Sequence, residues 1–172
     1  MKLFNQFSIL LSVLFIIGFA ACEKNEEKST TNLKVRLTDN PYNATAVNVD
    51  IQSVVVNTSD DPDNWVALNT RAGVYNLLNL QNGIDTLLAA GIIPTGTLGE
   101  VRFILGAANS IEINNVIYPL TIPSGSESGL KLKVNKRLAA SVDSILIDFD
   151  AALSILQTGA GDYKLKPVLK IK

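Results

Sequence analysis

The chain of 172 residues has no histidine and one cysteine, Cys22. Without histidine there is no Ser-His-Asp or Cys-His catalytic unit and no imidazole-ligated metal site. With one cysteine there is neither an internal disulfide nor a Cys-x-x-Cys site. Aromatic residues are sparse and unevenly placed. Four of the six Phe fall within residues 3–21, which leaves Phe103, Phe149, Trp65 and the four tyrosines Tyr42, Tyr75, Tyr118 and Tyr163 for everything after it. Val, Ile and Leu must therefore supply most of a core, and a chain of this length can bury enough of them to fold without a staple. No charge of one sign dominates. Setting Lys2 aside leaves 14 basic against 16 acidic residues, and no basic stripe argues for nucleic acid as a partner.

The N-terminus holds the one long apolar run. Met1-Lys2 is a short positive region, and Phe7 to Phe19 is apolar apart from Ser8, Ser12 and Gly18. Thirteen residues suit the hydrophobic part of an export signal and fall short of the ~20 needed to span a bilayer. The run ends in Phe19-Ala20-Ala21-Cys22, which resembles a lipobox, the cleavage site of bacterial lipoprotein precursors. Small residues before the cut enter a peptidase cleft, and the cysteine after it offers a thiol for acylation. Phe19 departs from the Leu usual at its position. The expectation is a signal peptide over 1–21, acyl chains on Cys22 and a membrane partner held through them. An acylated Cys22 also leaves the chain no free thiol.

From Cys22 to Asn32 no apolar residue follows the cysteine, so 22–32 reads as a polar linker with nothing to bury. Its acidic start, Glu23 to Lys28, resembles the surface-export signal of Bacteroidetes lipoproteins, with Asn25 as an interruption. The competing reading is a plain tether facing the periplasm. Either way the expected location is the outer membrane.

Residues 33–172 read as one domain of short strands. Leu33 to Thr38 alternates apolar and polar with period two, as do Val47, Val49 and Ile51, Val101, Phe103 and Leu105, and Leu130, Leu132 and Val134. Val54 to Val56 reads as a buried continuation and Trp65 to Leu68 as a short strand. Asn82-Gly83 and Asn114-Asn115 are turn signals, the second inside a hairpin over Ile111–Tyr118. Val74 to Leu80 fits a strand or the start of a helix. Asp85 to Ala90 fits a short helix stopped by Gly91. Val142 to Phe149 and Tyr163 to Ile171 read as closing strands. The expected fold is all-β, an immunoglobulin-like or transthyretin-like β-sandwich with one short helix.

These segments, in this order, resemble the family known as domain of unknown function 4382, common in Bacteroidetes lipoproteins. The carriers are Leu37-Thr38-Asp39-Asn40-Pro41, Val74 to Leu80, Ile93 to Thr97 with Glu100 to Phe103, Leu146 to Ala151 with Ser154, and Tyr163 to Val168. Leu98 departs from the aromatic often placed there. The resemblance implies a secreted β-rich domain and no activity.

Few residues suggest chemistry. Asp148 and Asp150, two apart in an apparent strand, project from one face, and Asp39 in a turn could join them around Ca²⁺. The plainer reading is three carboxylates that cap turns and face solvent. Asp60, Asp61, Asp63 and Asn64 crowd a turn that lacks the spacing of a calcium loop. Ser128 to Lys131 matches a Ser-x-x-Lys pattern in the wrong setting, a loop entering a strand. Asp85-Thr86-Leu87 and Asp143-Ser144-Ile145 resemble acceptor sites for O-glycosylation. Trp65 with the tyrosines could form a platform for a sugar ring, or the edge of the core. The resulting expectation is a lipid-anchored, non-catalytic binding or accessory module of the cell envelope with a glycan or envelope-protein partner. The alternative is an assembly subunit of an envelope or pilus-like complex.

Overall fold

In a computed structural model the described residues are 29–40, 42–58, 63–123, 129–159 and 161–172. Cys22 and the whole export segment lie outside them. So do Asp60, Asp61 and Ser128. The described residues form two open sheets packed face to face. The first sheet is built of β1 (Thr30–Thr38), β4 (Asn69–Thr70), β6 (Thr86–Pro94), β11 (Ser141–Phe149) and β14 (Leu169–Ile171), in the order β14-β11-β1-β6-β4. The second is centred on β2 (Ala46–Asn57). Around it lie β3 (Trp65–Ala67), β5 (Gly73–Asn76), β7 (Thr97–Leu105), β8 (Ser110–Ile113), β9 (Val116–Thr121), β10 (Leu130–Arg137), β12 (Ile155–Gln157) and β13 (Tyr163–Leu165). The fold is an all-β sandwich. Its one short helix, α1 (Ala151–Ser154), follows β11.

Alternation explains the core. Leu33, Val35 and Leu37 on β1 and Ile145, Ile147 and Phe149 on β11 face inward, against Val47, Val49 and Ile51 on β2 and Val101 and Phe103 on β7. Burial of each such side chain stabilises the fold by about 1.5–3 kcal/mol. On β2 the inward parity then switches from odd to even, to Val54 and Val56, and Val55 turns outward. The cause is a bulge at Gln52, since Ile51 pairs with Leu105 but Ser53 with Ile104. Beside the bulge, residues 106–109 interrupt what would otherwise be one long strand made of β7 and β8. Asp50 fills the gap. Its carbonyl accepts from the Gly106 N–H at 2.9 Å, its Oδ2 accepts from the Ala108 N–H at 3.1 Å, and its own N–H donates to Asn109 Oδ1 at 2.9 Å.

Between β3 and β5 the chain changes sheets. β3 pairs with β2, β4 crosses to pair with β6, and β5 returns to β2. At the crossing Leu68 N–H donates to the Val54 carbonyl and Val54 N–H donates to Thr70 Oγ1, both at 2.9 Å. The two sheets are thus stitched together without leaving Val54 unpaired.

Several sequence expectations need revision. Thr30, Thr31 and Asn32, assigned to the linker from composition, are the first residues of β1, and Thr31 is 1% exposed. Asp85 to Ala90 is not helical, because Thr86 onward pairs with β1 as β6. A run this short cannot repay helix nucleation, and partner strands override its helical propensity. Gly91 is no helix stop but makes room for Leu68, whose Cδ2 would stand 3.0 Å from an added Cβ. Val74 to Leu80 is strand and helix in turn. Asn76 ends β5, and its side chain accepts from Leu78 N–H to cap a 3₁₀ turn over Leu77–Leu80. The closing segment is two strands, β13 and β14. The hairpin at Asn114-Asn115 forms as expected, both residues having positive φ, as a tight two-residue turn requires.

Asp50→Ala should strand the Ala108 N–H beside the bulge and cost about 1–3 kcal/mol. Urea denaturation would check this, and an unchanged midpoint would contradict the role given to Asp50.

Candidate functional site

β1 and β11 run parallel, with Thr38 in register with Asp148. Their C-terminal ends therefore lie together, and the three candidate carboxylates meet there. Asp39 follows β1, Asp148 lies on β11, and Asp150 follows its last residue. Asp150 is not on the strand as the spacing of two suggests. It is the N-cap of α1, and its Oδ1 accepts from Leu153 N–H at 3.1 Å. None of the three faces solvent. Asp39, Asp148 and Asp150 are 2%, 1% and 5% exposed.

Each carboxylate is already engaged. Asp39 Oδ1 accepts from Ala151 N–H at 3.0 Å, and Oδ2 accepts weakly from Gln81 Nε2 at 3.4 Å. Asp150 Oδ2 accepts from Lys170 Nζ at 2.6 Å and from Asn40 Nδ2 at 3.3 Å. Asp148 receives no aligned hydrogen bond, but its Oδ2 stands 3.2 Å from Lys172 Nζ. Lys172 also donates to Asn40 Oδ1 at 2.9 Å. The two lysines belong to the end of the chain that pairs with β11 through β14. Ser154 closes the arrangement. Its hydroxyl donates to the Asp150 carbonyl at 2.6 Å and accepts from Val168 N–H at 2.8 Å.

The charges respond unequally. Burial pushes the Asp39 carboxyl up from 3.8 to about 6, and the neighbouring Asp148 charge adds to the rise. Burial would also raise Asp150, but the bonds from Lys170, Leu153 N–H and Asn40 together hold it below its ordinary value. The bond to Asp150 in turn raises Lys170. Lysine ammoniums thus pair with two of the three carboxylates, Asp150 and Asp148. Among the described residues no group of three or more acidic side chains is arranged to hold a metal ion.

The remaining candidates are dispersed. Trp65 does not join the tyrosines. Its ring lies under the Arg102 guanidinium, 3.9 Å from the ring centroid, while Tyr118 and Tyr163 pair with each other at 5.1 Å. Arg102 stacking on Trp65 is a contact that composition gave no sign of. Asp63 lies exposed in a turn. Lys131 is an exposed residue of β10. Asp85 pairs with Arg36, and Thr86 and Ser144 both lie in strands. A cleft of about 270 Å³ runs beside Tyr163, bordered by Thr121, Thr158, Asp162 and Lys164.

The model for the family described as Domain of unknown function (DUF4382) matches residues 30–167. Neither the search of curated proteins nor that of solved structures found a match.

Because Asp39 binds its proton more tightly in the folded chain, its contribution to stability is full below pH ~4 and is lost as pH rises through about 6. The loss is on the order of 3 kcal/mol at most. Asp143, held low by Lys136, and Asp150 act oppositely, contributing above 3.8 and losing that contribution in acid. Asp39→Asn should therefore flatten the decline in stability between pH 4 and 7 in denaturant titrations. An unaltered decline would sink the assignment. Calcium should leave the melting temperature unchanged, since Lys170 and Lys172 already pair with Asp150 and Asp148. A rise on adding calcium would favour the metal reading.

Proposed function

The chain belongs to the DUF4382 family, and on that premise we propose that it is a lipid-anchored, non-catalytic binding or accessory module of the bacterial outer membrane. The observation that carries the reading is the separation of two ends. The chain enters the sandwich at Thr30 and leaves β1 at Thr38. At ~3.3 Å per residue the loops around Asp39 and Asp150 stand roughly 25 Å from the point of entry. Anchoring through acyl chains on Cys22 holds the first end toward the bilayer and turns the second away from it.

The far end has the character of a recognition surface. Loops there are tied by pairs of buried carboxylates with half-exposed lysines, and Ile84 and Leu153 stand out nearby, 58% and 55% exposed. Loops positioned by a rigid scaffold are where binding commonly resides. A glycan or an envelope protein is the partner in this reading. A hydrolase based on paired carboxylates fits poorly, because Asp148 and Asp150 are closed to substrate and held by lysines. The acidic residues Glu23 to Lys28 beside the anchor support display on the outer leaflet.

An assembly subunit is the second reading. Its support is β10, whose outer edge no described strand pairs. Alternating Lys131 and Lys133, with Lys136 and Arg137 beyond, weigh against it, because lysines on an edge discourage strand addition.

Cys22→Ser should abolish incorporation of a palmitate probe and move the protein from the membrane to the soluble fraction. Protease added to intact cells should remove the wild-type domain. Protection until lysis would overturn outward display, and membrane retention of the serine variant would overturn the anchor.

A further inference from the structure

The outer face of the five-stranded sheet has an uncommon corner beside the point where the chain enters. Asn32 on β1 is in register with Ile92 of β6 on one side and Val142 of β11 on the other. In-register neighbours project from the same face, so two apolar side chains flank Asn32 on the outside of the sandwich. Ile92 is 73% exposed, the largest value among exposed large apolar residues described, and Val142 is 55% exposed. The next row is Ala90, Lys34 and Ser144. Of these six residues Lys34 alone is charged, and it is a cation.

We propose that this corner, centred on Ile92 and Val142, rests on the lipid bilayer and fixes the orientation of the domain at the membrane. The inference depends on the anchoring reading above. Its warrant is reach. The Thr95 N–H donates to the Ser29 carbonyl at 2.9 Å, which pins the chain at Ser29 against the end of β6. Ser29 lies seven positions after Cys22, and a fully extended chain spans at most ~3.6 Å per residue, or about 25 Å. An acylated Cys22 therefore keeps Ser29 within that distance of the headgroups, and this corner only three strand residues, about 10 Å, beyond it, however the intervening residues run. Two exposed apolar side chains insert at the headgroup boundary, and Lys34 meets anionic lipid. Ile84, 58% exposed, precedes β6 at the opposite end of the sheet, where a bilayer on this corner does not reach it.

The test uses the full acylated chain in vesicles of phosphatidylethanolamine and phosphatidylglycerol. Acylation blocks Cys22, so Ile92→Cys, Val142→Cys and, as the far-end reference, Ile84→Cys each carry one free thiol for a fluorescent label. Spin-labelled lipids should quench the label at 92 and 142 several-fold more than at 84. Intact mass reports the acyl chains in the same samples. Equal quenching at all three positions with the acyl mass present overturns the docked face and leaves the anchor standing. Absence of the acyl mass overturns the anchor, and the docked face with it. Disulfide pairing of Ile92→Cys between copies, without quenching by lipid, would assign the corner to a second copy of the chain and also overturn the proposal.

Discussion

The parallel pairing of β1 with β11 is the constraint from which the rest follows. Antiparallel neighbours would have left Asp39 and Asp148 at opposite ends of the sheet. Parallel neighbours bring both C-terminal ends to the same place and crowd Asp39, Asp148 and Asp150 into one buried corner. Buried carboxylates of like charge are costly unless they are bonded and neutralised. The chain meets this demand locally with the Ala151 N–H and from its end with Lys170 and Lys172. β14, three residues long, is tied to this corner by these charges as well as by its ladder to β11.

Such pairs do not by themselves make a domain more stable, because desolvation offsets much of the attraction. Their effect is positional. Asp150 is simultaneously helix cap, lysine partner and partner of Asn40, so α1, β14 and the loop after β1 can adopt only mutually consistent positions. Asp39 has no lysine partner to offset its burial, which holds its carboxyl above the ordinary value.

Much of the sandwich was legible in the sequence, because alternation of apolar residues reports directly which strand face is buried. Leu33 to Leu37, Val101 to Leu105 and Leu130 to Val134 all followed that rule, and Asn114-Asn115 reported its turn through backbone conformation alone. The failures have a common cause in tertiary context. Leu87 to Ala90 has helical propensity but lies between two strands. Val54 to Val56 reads from sequence as a buried continuation, because the bulge at Gln52 that turns Val55 outward exists only in the pairing with β7. Asp39, Asp148 and Asp150 were found as candidates, but a pattern of carboxylates could not show the lysines of a strand some twenty residues later turning back onto them. The Trp65–Arg102 stack joins β3 to β7 across β2 and had no local trace at all.

The central position of β1 also has a mechanical side. It is bonded along nearly its whole length to β11 on one edge and to β6 on the other. A pull applied at Thr30 and resisted from the far end acts along the strand, so both ladders are loaded in shear and must give way together. A pull across the strand would instead open the bonds one at a time. Resistance to forced extraction is governed by the rate of unfolding rather than by equilibrium stability. A pull through Thr30 therefore meets the resistance of both ladders at once.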